Sequence, residues 1–341
     1  MTMTVEPGAG AAVALDAADR LILDEAAPFL PRATVVVIGS VALGAAALEG
    51  GAATVRVSDD ADATSEPLAP SLFAGATLVL LRLPKSLSAL DGFARLVAAS
   101  APSDIVLVAG GRLKYMTVGM NEVLRRSFGR LDVSLARQKS RVLIARQPLA
   151  VQAPELSRRH DSELDLWVTA AGGVFAGASV DIGTRAMVSV FDELPEYGTA
   201  IDFGCGTGIL AAELKRRRPT ARVIASDISA VAVESARGTA AANDLDIDVV
   251  RDDGLSRQPD ASVDLIVLNP PFHDGGAVSI DAALAMFGEA RRVLRPGGQL
   301  WTVWNSHLGY TGALVRTVGP TVQVGRNPKF TVTASTRAVQ S

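Results

Sequence analysis

Ala200-Ile201-Asp202-Phe203-Gly204-Cys205-Gly206-Thr207-Gly208 is the stretch on which the fold turns. Ala200 to Phe203 reads as a short strand, and the three alternate glycines after it open a helical pattern from Ile209 to Arg217. A strand that ends in spaced glycines and starts a helix lets a ligand approach the backbone closely, because no Cβ stands in the way. The spacing is Gly-x-Gly-x-Gly rather than the dinucleotide Gly-x-Gly-x-x-Gly, and no Gly-Lys-Ser/Thr phosphate cradle occurs.

Outward from this loop the same plan repeats. Arg222 to Ser226 reads as a strand ending at Asp227, followed by a helix from Ala230 to about Asn243. Asp248 to Val250 ends at Asp252-Asp253, and Val263 to Leu268 ends at Asn269-Pro270-Pro271-Phe272. A helix over Ala282–Leu294 is stopped by Pro296-Gly297-Gly298, Leu300 to Val303 is a fifth strand, and Lys329 to Thr333 closes the chain in a hairpin with Val322 to Val324. The N-terminal half carries strands at Val35–Ile38, Val55–Val57, Leu78–Leu81 and Ile105–Val108, with helical patterns at Leu87–Ala99 and Asn121–Phe128. Alternating strands and helices imply an α/β fold with mostly parallel, Rossmann-like sheets. Gln147 to Glu163, rich in Pro and charge, is the expected linker, giving domains over 1–150 and 151–341. The shared plan points to duplication, with only the second half keeping a glycine-rich loop. In the first half Gly39-Ser40-Val41-Ala42-Leu43-Gly44 stands in its place, and no Pro-Pro motif follows the fourth strand, which ends in Ala109-Gly110-Gly111. The first domain is therefore expected to be non-catalytic.

Composition narrows the classes. At 341 residues and 48% hydrophobic the chain suffices for two cores, and a net charge of -3 excludes a uniformly basic nucleic-acid coat. The single cysteine, Cys205, excludes an intramolecular disulfide and a Cys-rich zinc site, and His160, His273 and His307 are scattered, so no metal is expected. Met1 to Leu15 lacks the positive charge of a secretory leader, and Thr34 to Leu48 falls short of the roughly 20 apolar residues that span a membrane. A soluble, cytoplasmic protein is expected.

Ligands of such sheets bind outside the carboxyl ends of the strands, where the acidic residues stand. Asp227 suits both ribose hydroxyls of a nucleoside, although a carboxylate here also suits the cap of the following helix, a role open to Ser229. Asp252 or Asp253, with Asp253 favoured, suits an adenine amino group, and either also serves as a turn residue. In Asn269-Pro270-Pro271-Phe272 the two prolines fix φ and remove two backbone donors, leaving acceptors toward the site. The Asn269 amide oxygen and the Pro270 carbonyl can then take the two hydrogens of an exocyclic amine and aim its lone pair at an electrophilic methyl. Phe272 offers a face for a planar base, worth about 1–3 kcal/mol.

With these motifs in hand, the chain resembles the bacterial ribosomal RNA guanine-N2 methyltransferases of the small-domain superfamily, which carry two tandem domains of which the first has lost cofactor binding. The resemblance rests on Gly204-Cys205-Gly206-Thr207-Gly208 with Asn269-Pro270-Pro271-Phe272-His273, on Gly173-Val174-Phe175 and Asp181-Ile182-Gly183, and on Ser229 to Asn243. It continues through Asn305-x-His307-Leu308-x-Tyr310 and Lys329-Phe330-x-Val332. In the first half it rests on Ala17-Ala18-Asp19, Leu83-Pro84-Lys85 and Arg112 to Leu143, which tilt it toward the 23S rather than the 16S enzyme. It implies S-adenosyl-L-methionine held by the loop from Asp202 through Gly204, Gly206 and Gly208, by Asp227, by Asp253 and by Asn269, with Asn269, Pro270 and Phe272 as the catalytic corner and ribosomal RNA as partner. Thr331 and Thr333 stand where the 16S relatives place Lys and Tyr, which leaves the target nucleotide open. Oligomeric state and the choice between free RNA and an assembled subunit are equally open.

Between Arg112 and Arg146 nine basic residues face only two acids, Glu122 and Asp132, a segment that suits RNA phosphates if its side chains share one face. No general base of suitable pKa is evident, so the proton is expected to leave to water; His273 is a further candidate to take it, or else shapes the loop. Two other readings compete. A protein glutamine methyltransferase acting on release factors would use the same Asn-Pro-Pro-aromatic corner, and a non-catalytic RNA-binding assembly factor would ignore the donor.

Overall fold

The structure, a computed structural model, describes residues 15–58, 62, 65–171, 178–270 and 277–338. The chain separates into two units, one of Met1–Asp59 with Ser65–Ala153 and one of Pro154–Ser341 with Asp60–Thr64.

The first unit contains α1 (Ala17–Ala26), β1 (Thr34–Ile38), α2 (Val41–Glu49), β2 (Thr54–Ser58) and β3 (Leu78–Arg82). It continues through α3 (Leu87–Ser100), β4 (Val106–Arg112), α4 (Val118–Ser127), β5 (Phe128–Val133) and β6 (Ser140–Pro148). Its strands lie in the order β2-β1-β3-β4-β6-β5; the first four are parallel, and β6 and β5 form an antiparallel hairpin at one edge. Val35, Val36 and Val37 are fully buried, as are Leu78 through Leu81, which is why these runs are apolar without alternation: both faces of a parallel sheet are covered by helices.

The second unit opens with a hairpin, β7 (Ser157–Asp161) and β8 (Leu166–Ala170), and then α5 (Ile182–Val188). The main sheet follows: β9 (Thr199–Phe203), α6 (Ile209–Arg217), β10 (Arg222–Asp227), α7 (Ala230–Ala242), β11 (Asp248–Arg251) and β12 (Val263–Leu268). It closes with α8 (Ala277–Val293), β13 (Leu294–Asn305), α9 (Thr311–Thr317), β14 (Thr321–Arg326) and β15 (Phe330–Thr336). The order is β11-β10-β9-β12-β13-β15-β14, with β15 and β14 antiparallel to their neighbours. Successive residues of a strand face opposite layers. Leu265 and Val267 pack with Leu210, Leu214 and Met187, whereas Ile266 and Leu268 pack with Phe287 and Leu314. Removing a side chain the size of Phe287 from such a core costs about 3–5 kcal/mol.

Three expectations need correction. The segment Gln147–Glu163 is not a plain linker, since β6 runs to Pro148 and β7 occupies Ser157–Asp161. Its residues, Ser-Arg-Arg-His-Asp, are mostly exposed and carry no apolar alternation, so the strand leaves no periodic signal. The helix expected over Ala282–Leu294 starts five residues earlier, at Ala277, and Leu294 already belongs to β13, which runs through Pro296-Gly297-Gly298 with a shift in register against β12. Third, deleting β11 from the second sheet leaves the strand order of the first, so the first unit has no counterpart of β11. The strand equivalent to β12 is then β3, and the residues at the Asn269-Pro270-Pro271 corner are Arg82-Leu83-Pro84 rather than Ala109-Gly110-Gly111.

The basic segment does not form one stripe. Arg112 pairs in register with Ser140 and Val106 with Arg146, six residues away along β4 and about 20 Å at 3.3 Å per residue. Arg112, Lys114, Lys139 and Arg141 therefore gather at the carboxyl edge of the parallel strands, and Arg130 and Arg146 at the opposite edge, where both reach Asp132. Arg137 is paired with Asp24 and Glu25.

Candidate active site

Everything in the site is set by how β9 hands over to α6. Gly204, Gly206 and Gly208 all have positive φ, +71°, +54° and +75°, a backbone region that other residues enter only at a cost of about 1–2 kcal/mol. The Gly204 and Cys205 N–H groups donate to Ser226 O at 2.8 and 3.1 Å, pinning the loop to the end of β10. Gly208 gives α6 no side-chain cap. That work falls to Asp202, whose Oδ2 accepts the Ala211 N–H at 2.9 Å from the preceding strand. Burial pushes the Asp202 carboxyl up from 3.8 to about 7, and the neighbouring charge of Asp227 adds to the rise.

Asp227, at the end of β10, accepts the Gly206 N–H at Oδ2 and the Ser229 N–H at Oδ1, both at 2.9 Å. The cap of α7 is Ser229, which accepts the Ala232 N–H at 3.2 Å, so the choice left open by the sequence resolves against Asp227 as a helix cap. At the end of β11, Asp252 is 3% exposed and accepts from Ser256 Oγ and the Arg257 N–H, which folds the following loop. Asp253 is exposed.

Asn269 stands at the end of β12. Its Nδ2 donates to Thr184 Oγ1 at 3.2 Å and lies 3.5 Å from each oxygen of Asp181. Its Oδ1 is buried and has no hydrogen-bond partner among the described residues. An acceptor left in that state costs about 1–3 kcal/mol, which a ligand N–H can recover.

These groups surround one cavity of about 890 Å³. Of the residues singled out from the sequence, Asp202, Gly204, Gly206, Asp227, Asp253, Asn269 and Pro270 line it. Gly208 does not: a Cβ there would lie 2.9 Å from Ala236 Cβ, so this glycine serves the close packing of loop against α7. Pro271, Phe272 and His273 lie outside the described residues, as does Gly173-Val174-Phe175. Sequence reasoning missed Ser179 and Thr184 and gave Asp181 no role; all three line the cavity. The signal available for Asp181 was its Asp-x-Gly-Thr setting, a helix start in which it accepts from the Gly183 and Thr184 N–H groups. Met286 and Glu289 of α8 also line it, and nothing in their sequence distinguishes them from ordinary helix-surface residues.

The wall has a marked electrostatic character. Among the described residues six acidic side chains line the cavity (Asp181, Asp202, Asp227, Asp252, Asp253 and Glu289) and no Lys or Arg does. Among the described residues no group of three or more His, Cys, Asp or Glu is arranged to hold a metal, and no helix is long and apolar enough to cross a membrane.

Residues 165–334, which contain the whole cavity, match the methyltransferase small domain family, and residues 27–149 match the RLMG N-terminal domain. The protein is thus a methyltransferase of the two-part small-domain class. It is 36% identical over 270 residues to the ribosomal RNA large subunit methyltransferase G of Shewanella amazonensis, covering 76% of this chain and 69% of that one. It is 35% identical over 265 residues to the protein of the same name from Streptomyces coelicolor, covering 75% and 70%. The chain belongs to the ribosomal RNA large subunit methyltransferase G family. In fold it is similar to the T. thermophilus 16S rRNA N2 methyltransferase solved with AdoMet and guanosine, with a TM-score of 0.72, 21% identity and 92% of each chain covered.

Proposed function

We propose that the protein transfers the methyl group of S-adenosylmethionine to the exocyclic N2 amine of a guanine in 23S ribosomal RNA. One observation carries this reading: a cavity lined, among the described residues, by six acidic side chains and by no Lys or Arg has Asn269 in its wall, and the buried Asn269 Oδ1 has no hydrogen-bond partner among those residues. An acidic wall suits a cationic donor and opposes the phosphates of a dinucleotide or nucleoside triphosphate. The names of the relatives, which are large-subunit RNA enzymes, and of the 16S N2 enzyme solved with AdoMet and guanosine, support the choice of donor and acceptor.

When bound, S-adenosylmethionine supplies an electrophilic methyl carbon on a positively charged sulfur. The Gly204–Gly206 backbone admits the donor closely. Asp227, fixed by Gly206 and Ser229, meets the ribose hydroxyls, and the exposed Asp253 meets the adenine amino group. The guanine leaves its stack to enter, with Phe272 as its stacking partner. Asn269 Oδ1 and the Pro270 carbonyl accept the two amine hydrogens, so the nitrogen lone pair is aimed at the methyl carbon. Held there by Asn269 and Pro270, the amine nitrogen would take the methyl carbon in exchange for that carbon's bond to sulfur and give one proton to water.

The first unit is non-catalytic in this account. Its equivalent of Asn269 is Arg82, whose guanidinium is held by Asp19 at 2.6 Å and by Asp16 at 3.1 Å, so donors committed to carboxylates replace an acceptor. Its carboxyl edge holds a separate cleft of about 430 Å³ lined by Lys85, Arg112, Lys114 and Tyr115. The Lys85 and Lys114 ammonium groups lie 4.9 and 4.4 Å from the Tyr115 ring centroid. Cations around an exposed aromatic ring suit single-stranded RNA, and this cleft is the proposed RNA contact of the first unit, working where ribosomal RNA is, in the cytoplasm.

The test is transfer of labelled methyl from S-adenosylmethionine to deproteinised 23S rRNA, 16S rRNA and a purified release factor. Label in N2-methylguanosine of 23S rRNA is expected, lost together with donor binding in Asp227→Ala. Label on a release-factor glutamine would replace this reading with a protein amide methyltransferase. Absence of donor binding in the wild type would leave a non-catalytic RNA-binding factor.

A further inference from the structure

Asn and Gln amides present either an oxygen or an NH2 group to a ligand, and which one a site offers is decided by what holds the other end. At Asn269 the other end is held from α5, a helix 85 to 88 residues earlier in the chain. Asp181 caps that helix through Oδ1, which accepts the Gly183 and Thr184 N–H groups at 2.8 and 3.1 Å. Its Oδ2 takes the Thr184 hydroxyl hydrogen in a short hydrogen bond. That bond uses the only hydrogen of Thr184 Oγ1, so toward Asn269 this oxygen acts as an acceptor. Both Asp181 oxygens already act as acceptors toward α5. Three acceptor oxygens therefore surround one end of the Asn269 amide, which must turn its NH2 toward them and leaves its oxygen, on the other arm, buried without a partner among the described residues.

We infer that Asp181, with Thr184 as its relay, is a positioning residue that fixes the amide orientation of Asn269 and so restricts the acceptor corner to substrates bearing N–H donors. The inference rests on the amine-directed methyl transfer proposed above. Gly183 completes the arrangement: a Cβ at that position would lie 3.0 Å from Asp181 Oδ1, 3.2 Å from Asn269 Oδ1 and 3.3 Å from the Phe330 ring, so a side chain there would press on the three groups that make the corner. A carbonyl or ether oxygen offered to this corner meets only acceptors. An exocyclic amine satisfies the Asn269 oxygen, which has no partner among the described residues. Neither Asp181 nor Thr184 needs to touch the substrate for this to hold.

Asp181→Asn separates this role from a structural one. Asparagine caps helices as well as aspartate does, so α5 is retained. The new NH2 group faces the Asn269 NH2, however, and favours a flip that turns a donor toward the incoming amine. With deproteinised 23S rRNA as acceptor, the expected result is a kcat at least 100-fold below wild type, with the Kd for S-adenosylmethionine within threefold and an unchanged melting temperature. Thr184→Ser should stay within threefold of wild-type kcat and Thr184→Val fall about tenfold. The exchanged pair Asp181→Asn/Asn269→Asp restores a donor below and an acceptor above, and should regain at least tenfold over Asp181→Asn. The inference is overturned if Asp181→Asn keeps kcat within threefold of wild type, or if the exchanged pair is no faster than either single variant. Because every comparison is a ratio to wild type, wild-type transfer to a different acceptor, such as a glutamine amide, would remove the RNA reading and leave the positioning role to be judged on that acceptor.

Discussion

Replacing Gly206 and Gly208 one at a time by alanine should produce two different defects from two chemically identical changes. Both residues have positive φ, so each alanine carries about 1–2 kcal/mol of backbone strain. At Gly206 nothing among the described residues lies within 4 Å of the added Cβ, and the residue lines the cavity, so the strain is the whole folding cost and the methyl enters the space proposed for the donor. At Gly208 the Cβ meets Ala236 Cβ at 2.9 Å and Ala236 Cα at 3.0 Å, against an ordinary carbon–carbon contact of about 3.5–4.0 Å. The loop and α7 must therefore separate, an overpacking that adds about 1–3 kcal/mol. For a domain of this size 1 kcal/mol lowers the melting temperature by about 2–4 °C. Gly206→Ala should then melt about 2–8 °C lower, and Gly208→Ala about 4–20 °C lower. Binding should rank the other way. One misplaced methyl in a fitted pocket is worth about 1–3 kcal/mol, or 10–200-fold in affinity, for Gly206→Ala, whereas Gly208→Ala, measured below its melting transition, should keep more of its affinity. Scanning calorimetry and isothermal titration with S-adenosylmethionine make both measurements. Wild-type affinity in Gly206→Ala would refute the assignment of the loop to the donor, and wild-type stability in Gly208→Ala would refute the packing argument.

Asp202 predicts a pH dependence. Its folded pKa is raised from 3.8 to about 7, so folding favours the protonated acid; that contribution is fully present below the unfolded value and lost as pH rises through about 7. Asp202→Asn keeps an acceptor for the Ala211 N–H and removes the ionisation, so in the ligand-free protein its stability relative to wild type should rise from near zero at pH 4 to about 4 kcal/mol above pH 7, read by urea unfolding. A cation that lowers this pKa by one unit binds about tenfold more tightly above pH 7 than below, so S-adenosylmethionine should tighten with pH while neutral S-adenosylhomocysteine does not, and Asp202→Asn should abolish the difference. In the first unit, Lys85→Gln with Lys114→Gln should lower the slope of log affinity for 23S rRNA against log salt by about 1.4 and leave the Kd for S-adenosylmethionine unchanged; an unchanged slope would remove the cleft from the RNA path.

What the sequence revealed of the site was what local chemistry controls. The glycine loop, Asp227, Asp253 and Asn269 each sit where one strand stops, and a strand's end is written in its own residues: a short apolar run followed by glycine, acid or proline. What it concealed depends on distant partners. Asp181 acquires its role only because α5 packs beside a strand end 88 residues later, and a capping aspartate looks the same with or without that neighbour. The basic segment looked continuous because sequence has no direction in space; the antiparallel return of β6 sends Arg112 and Arg146 to opposite edges of the sheet. Matching the halves by counting strands failed because β11 is missing from the first unit, and only hydrogen-bonded order shows that Arg82 answers to Asn269. That correspondence extends to the cap. Asp16 accepts from the Ala18 and Asp19 N–H groups and holds Arg82, as Asp181 caps α5 and holds Asn269, so one scaffold carries a guanidinium locked by carboxylates in one unit and an open amide in the other.

The central claim is that a carboxylate-walled donor pocket and an amide acceptor corner act together on a guanine amine of the large-subunit RNA. Nucleoside mass mapping of ribosomal RNA from cells lacking this chain tests it most directly. One N2-methylguanosine should vanish from 23S rRNA, return with the wild-type gene, and stay absent with Asn269→Ala. An unchanged set of 23S modifications, with the missing methyl found instead in 16S rRNA or on a protein glutamine, would contradict it.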